Sequence, residues 1–175
     1  MIIVKNRKKI TDNFDKNEWG TPQYLFEPLN KIFNFTIDLC ATETNKKLDR
    51  YYDKEQNSLL QNWDNEIGFL NPPYGRGLIE PFLKKANEAR NSIIVALIPA
   101  AVSELWWWNT VQGIALAYPV KRRVKFEGAK SSAGFGNVIA VYNTPGDISC
   151  PVNHNHLTKL RDLCEHVHDN RKAKK

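Results

Sequence analysis

The sequence predicts an α/β protein built on one sheet with an antiparallel end, and three observations carry that expectation. Strand-like and helix-like segments alternate along 175 residues, a length that suits one compact domain. The run Ile93 to Ile98 is continuously apolar, the pattern of a strand buried on both faces. A short apolar segment, Ile67 to Leu70, runs straight into Asn71-Pro72-Pro73-Tyr74. Two prolines cannot extend a central strand, so this is a turn at a strand end, where α/β folds place their ligands.

The elements follow in order. Residues 1–17 are polar and carry Lys5, Arg7, Lys8 and Lys9, so they read as a flexible basic arm before one domain over 18–169. Thr21 is expected to cap the first helix with Pro22 at its first position. Tyr24, Leu25, Leu29, Ile32 and Phe33 then share a face, with a kink at Pro28. Phe35 to Leu39 reads as a strand, whereas residues 42–65 are polar, weakly periodic and unassigned. Ile67 to Leu70 is a strand, and Pro81 to Arg90 an amphipathic helix carrying Phe82, Leu83 and Ala86.

Pro99 stops the buried run, and Ser103 caps a helix through Trp106, Trp107 and Trp108. Consecutive helical positions point about 100° apart, so the three indoles cannot all be core. Ile114 to Tyr118 is a further strand. Val124 to Phe126 and Val138 to Tyr142 flank a Gly/Ser turn and predict a terminal hairpin. Leu157, Leu160, Cys164 and Val167 fall on one face of a last helix, and residues 170–175 form a basic tail. No internal repeat or domain linker interrupts the chain.

Net charge is 25 − 19 = +6 with a pI near 9.2, which favours an anionic partner, nucleic acid first. Lys121, Arg122, Arg123, Lys125 and Lys130 are the candidates for tracking a phosphate backbone, preferred here over a merely solvated loop. Three cysteines give no disulfide framework and point to a reducing compartment. Neither a signal peptide nor an apolar run of about 20 residues is visible, so the expectation is a cytoplasmic protein with no membrane contact. Cys150 and His154 have zinc-like spacing, but Cys164 lies on an apolar stripe and positions 164 and 166 diverge on a helix. Core packing and a polar helix face are preferred, with no metal expected.

The chemistry concentrates at Asn71-Pro72-Pro73-Tyr74. The Asn71 side-chain oxygen and the Pro72 carbonyl are acceptors that can hold the two hydrogens of one amino group. That arrangement aims the nitrogen lone pair at an electrophile, while Tyr74 can stack on the flat ring bearing it. Asn-Pro-Pro turns also occur as plain loop chemistry. The apolar strand before the turn and Tyr-Gly after it favour the site.

Asn71 to Tyr74 resembles the catalytic motif of amino methyltransferases. Over roughly residues 19–142 the chain resembles the phage DNA N-6-adenine-methyltransferase family. The resemblance rests on Trp19-Gly20-Thr21-Pro22, Leu25-Phe26, Leu29-Asn30, the segment Phe35 to Ala41, Leu97 to Ala100 and Arg123 to Phe126. It implies a Rossmann-like, S-adenosyl-L-methionine-dependent methyltransferase sheet acting on an adenine flipped out of double-stranded DNA; no obligate protein partner is evident in the sequence. Asn71, Pro72, Pro73 and Tyr74 would be the catalytic turn. Asp38, Cys40 and Ala41 would stand where a Gly-rich cofactor loop is usual, Asp38 pairing with the methionine ammonium. Trp19, Thr21 and Pro22 would line the cofactor side. Asn57 stands where an acid is usual for the cofactor's adenine, and Ala101 and Gly134 also depart from the family pattern. The alternatives are an RNA or protein-amide acceptor, or a noncatalytic DNA-binding relic of the fold.

Overall fold

The computed structural model describes residues 19–143 and 152–168. In chain order these form α1 (Gln23–Phe33), β1 (Ile37–Asp38), a 3-10 turn (Ser58–Leu60), β2 (Ile67–Leu70), α2 (Ile79–Glu88), β3 (Ile93–Pro99), α3 (Leu105–Thr110), β4 (Leu116–Val120), β5 (Asn137–Asn143) and α4 (His154–His166). The protein is thus α/β, with one mixed five-stranded sheet in the order β1-β2-β3-β5-β4. β1, β2 and β3 are parallel, while β5 lies antiparallel between β3 and β4. β4 therefore runs in the direction of the first three strands. The loops that follow β1, β2, β3 and β4 all leave the same edge of the sheet.

Strand alternation divides the core into two layers. Phe69, Val95, Leu97, Ile139 and Val141 face the layer of α1 and α4, with Leu25, Leu29, Leu160 and Cys164. Leu70, Ile94, Ala96, Ile98 and Ala140 face the layer of α2 and α3, with Leu83 and Trp107. β3 is buried from Ile93 through Ile98, as its unbroken apolar run requires. Gly68 leaves room on the sheet face for the buried side chains of Leu39 and Ile94. A Cβ at 68 would stand 2.5 Å from Leu39 Cδ1 and 3.0 Å from Ile94 Cδ1.

Several boundaries differ from the sequence expectation, each for a local reason. Pro22, not Thr21, is the N-cap of α1: it is extended, and its carbonyl accepts from the N–H groups of Leu25 and Phe26. That leaves Thr21 one residue outside the cap, and Pro28 lies inside the helix. β1 has only two ladder residues, although hydrogen bonds from Thr36 N–H to Ile67 O and Leu39 N–H to Phe69 O carry its pairing further. α2 begins at Ile79, two residues before Pro81, because a first-turn proline forgoes no intrahelical bond. β3 takes in Pro99 as its last residue.

Glu104, not Ser103, precedes α3, because a turn closed by Glu104 N–H on Ala101 O holds Ser103 outside the helix. β4 starts at Leu116, since Ile114 and Ala115 donate back to Val111 O. Val124 to Phe126 is not a strand. Val124 and Phe126 are both buried from a loop, which mimics strand alternation, and the antiparallel partner of β5 on that side is β4. α4 buries Leu160 and Cys164 of its expected stripe, with Val167 buried just past its end; Leu157 is only half-buried, and Leu163 joins the buried face. His156 is taken up in its capping box with Asn153. Cys150, residues 1–17 and residues 170–175 lie outside the described residues. Among the described residues, no group of three or more His, Cys, Asp or Glu is placed to hold a metal. No described helix is long and apolar enough to cross a membrane.

Candidate active site

The carboxyl ends of β1 and β2 open into a cavity of about 310 Å³. This falls within the roughly 300–1,000 Å³ typical of small-molecule sites. β1 delivers Asp38, then Cys40 and Ala41, to one wall. Asp38 is 2% exposed, and its carboxylate accepts the N–H of Cys40 at 3.3 Å and of Lys47 at 3.1 Å. Burial outweighs these bonds and the Lys47 charge, and its pKa is pushed up to about 6. Burial, then the neighbouring Asp38 charge, push the Cys40 thiol up to about 12, so Cys40 is no nucleophile at neutral pH.

The floor is held by bonds from side chain to backbone. The Ser58 hydroxyl donates to Leu39 O, and Trp63 Nε1 donates to Ser58 O at 3.1 Å. Asn57, in the left-handed region with φ 48°, brings its exposed side chain to the rim. Trp19, Gly20 and Thr21 form the facing wall. This strap is bridged to Glu127, whose N–H donates to Gly20 O at 2.8 Å. A Cβ at residue 20 would meet Glu127 Oε2 at 2.7 Å, so glycine lets the two segments approach. The Thr21 hydroxyl is buried against the cavity with no hydrogen-bond partner among the described residues.

β2 delivers the proline turn. Asn71 Nδ2 donates to Trp19 O at 3.0 Å, which orients the amide. The Tyr74 hydroxyl lies 3.0 Å from Asn71 Oδ1 and 2.8 Å from Leu97 O. One phenolic hydrogen cannot fully serve both oxygens, so Asn71 Oδ1 keeps acceptor capacity. Burial raises the Tyr74 pKa well above its ordinary value, so the phenol is neutral. Its ring meets Phe126 and Phe135 edge-on, with centroids 5.9 and 5.8 Å away.

The expected residues are therefore partly gathered. Trp19, Thr21, Asp38, Cys40, Ala41 and Asn57 line one cavity together with Asn71 and Pro73. Pro22, Pro72 and Tyr74 do not line it. Lys121, Arg122, Arg123, Lys125 and Lys130 sit on the loop after β4, at the same sheet edge but off the cavity, and all but the half-buried Lys125 are exposed. Sequence reasoning misses Thr42, Asn45, Lys47, Asp53, Lys54 and Ser58 from the unassigned polar stretch, and also Gly20, Phe69, Leu78 and Phe82. Nothing periodic marks the first five.

Comparison with known proteins bears on what such a site does. A family model described as DNA N-6-adenine-methyltransferase (Dam) matches residues 8–156. The chain is 31% identical over 132 residues to the DNA N-6-adenine-methyltransferase of Haemophilus phage HP1 (strain HP1c1), covering 72% of this chain and 73% of that protein. It is 36% identical over 119 residues to the protein of the same description from Escherichia phage T1, covering 65% of this chain and 49% of that protein.

Proposed function

The chain belongs to the DNA N-6-adenine-methyltransferase family, whose reaction is methylation of adenine in DNA, and we propose that S-adenosyl-L-methionine is its methyl donor and an adenine extruded from double-stranded DNA its acceptor. The observation that carries this reading is the convergence of the Asn71 turn and the Asp38 strand end on one cavity. An oriented acceptor for an amino group stands beside a buried carboxylate. The residues fit the donor. The cavity has small-molecule size, Asp38 offers an anion to an ammonium, and the buried Thr21 hydroxyl lacks a partner that a polar ligand would supply. We assign the fold as a Rossmann-like methyltransferase sheet and residues 18–169 as its domain.

The donor, when bound, supplies an electrophilic methyl on a sulfonium. Asn71 Oδ1 and the Pro72 carbonyl accept the two amino hydrogens of the target adenine, leaving the nitrogen lone pair to face the cavity. Asn71 holds that aim because its Nδ2 is committed to Trp19 O. Pro72 and Pro73 keep the turn rigid, and half-buried Tyr74 supplies a ring for the base to pack on. No base is needed to start the reaction, since the amine attacks directly and loses its proton afterwards. Catalysis is positioning and exclusion of water.

The test is transfer of tritiated methyl from S-adenosyl-L-methionine to unmethylated DNA, followed by digestion and chromatography of the nucleosides. Label is expected in N6-methyladenine. Asn71→Ala should lower the rate by about two orders of magnitude, the usual effect of removing a positioned polar group. Label appearing instead in RNA or protein would overturn the acceptor assignment. Absence of both label and cofactor binding would overturn the enzyme.

A further inference from the structure

Between Arg90 and Lys121 the chain carries one charged residue, Glu104. Much of that stretch is the buried strand β3 and the inner face of α3, where Trp107 and Thr110 are buried. The remainder is apolar and faces water. Val102, in the turn after β3, is 59% exposed, and Leu105 and Trp108 on α3 are 74% and 59% exposed. Leu105 and Trp108 lie three positions apart, so they share one face of the helix. Large apolar side chains grouped in water mark a surface that a partner covers.

Their place on the sheet says which partner. The turn after β3 leaves the edge that carries the Asn71 turn, and β3 is paired directly with β2. Trp107 packs α3 into the layer of α2, whereas Val124, Phe126 and Ala133 pack the basic loop into the layer of α1 and α4. Asn71 thus has an apolar patch toward one face of the sheet and cations toward the other. Glu80 of α2 is engaged by Lys84 at 3.0 Å and by Asn109 of α3 at 3.2 Å, which leaves Glu104 as the one acid within the patch. An occupant spanning this edge must offer negative charge to one side and flat apolar surface to the other. A duplex with one base extruded offers both: phosphates outside, and the uncovered faces of the neighbouring bases inside.

We propose that Val102, Leu105 and Trp108 form an apolar wedge that enters the duplex beside the target adenine and covers the base faces its extrusion exposes. The inference rests on the extruded acceptor assigned above and adds what takes the place of the base. An unfilled gap loses stacking on both sides, and apolar side chains inserted between base steps offset that loss. The wedge favours the opened duplex without touching the adenine.

The test compares a duplex that the unaltered protein methylates with the same duplex carrying cytosine opposite the methylated adenine. A mismatched adenine leaves the stack at lower cost, so it needs the wedge less. Val102→Ser combined with Leu105→Ser, and separately Trp108→Ser, should slow methyl transfer to the paired duplex about tenfold, the scale of one lost stacking contact, and to the mismatched duplex less than about threefold. With 2-aminopurine at the methylated position, the rise in fluorescence on binding should shrink in the same variants. S-adenosylhomocysteine binding should hold within about twofold, because separate exposed sites act independently, and this excludes a folding defect. Leu116→Ser is the control: Leu116 is also exposed but begins β4 at the opposite edge, so neither rate should change. Equal slowing on both duplexes, slowing in Leu116→Ser, or no slowing at all would overturn the proposal. So would slowing that accompanies the parting of a dimer in sedimentation, since the patch would then join two copies of the chain. If the unaltered protein methylates no duplex, the acceptor reading itself fails and the wedge falls with it.

Discussion

Asp38 shows at the scale of one residue how a site is bought with stability. Its carboxyl titrates near 6 rather than at the ordinary 3.8, because burial penalises the charge more than two backbone bonds and Lys47 relieve it. The native state therefore keeps a proton that the unfolded chain releases between those two values. Stability falls as pH rises through that window and is level above it, by roughly 3 kcal/mol in all. Asp38→Asn removes the penalty, while turning one carboxylate oxygen into a donor that faces a backbone N–H offsets about 1 kcal/mol or more of it. The variant is expected to melt above the unaltered protein at pH 8, with the gap shrinking toward pH 5. A thermal melt at the two pH values checks both signs. Ligand binding should run the other way. If Asp38 pairs with the donor's ammonium as proposed, S-adenosylhomocysteine affinity is expected to fall about tenfold per pH unit below 6, since only the anion can form that pair. In Asp38→Asn the affinity should be weak and flat with pH, which calorimetry across pH 5 to 8 decides.

Elements differ in how plainly the sequence announces them. β2 and the turn after it are legible, because two prolines end a strand by covalent geometry and no tertiary packing can reverse that. β3 is legible because six consecutive buried apolar residues, rich in Ile and Val and ended by Pro99, suit a short strand covered on both faces. The wall formed by residues 42–57 is not. Its shape comes from single bonds, such as Thr42 N–H to Asn45 Oδ1 at 2.7 Å and the reciprocal pair of Asp53 with Gln56. Such bonds leave no period in the sequence, so nothing there marks Lys47 or Asp53. The hairpin expected at Val124 has the opposite cause. Val124 and Phe126 alternate with polar residues because a loop buries them, not because a ladder pairs them. At this scale Gly68 carries a prediction. Gly68→Ala places a methyl 2.5 Å from Leu39 Cδ1 and 3.0 Å from Ile94 Cδ1, so those buried side chains must shift. Overpacking of this kind costs about 1–3 kcal/mol. Because Leu39 O also anchors Ser58, the cavity floor should shift with it. A lowered melting temperature together with weaker S-adenosylhomocysteine binding is the expected pair. A stability loss with unchanged binding would separate the strand packing from the cavity.

At the scale of the whole molecule, the direction of β4 matters most. Because β4 runs with β1, β2 and β3, the basic loop after it emerges at the edge that also carries the cavity and the Asn71 turn. Lys121, Arg122 and Arg123 are exposed there, and Lys121 N–H is tied to Cys164 O of α4, which fixes where the loop leaves the body. On the proposed acceptor, charges so placed should meet phosphates flanking the target adenine rather than the base itself. Phosphate pairing of that kind positions a duplex without reading its sequence. Replacing all three with alanine should therefore weaken DNA binding about equally on unrelated sequences. The slope of log affinity against log salt should also become shallower, by about 0.9 for every phosphate that is no longer neutralised. S-adenosylhomocysteine affinity should stay unchanged, since none of the three lines the cavity. Fluorescence anisotropy on two duplexes of different sequence, across a range of salt, tests all of this. An unchanged slope would place the duplex on another face, and weakening confined to one sequence would make these residues readers of bases instead.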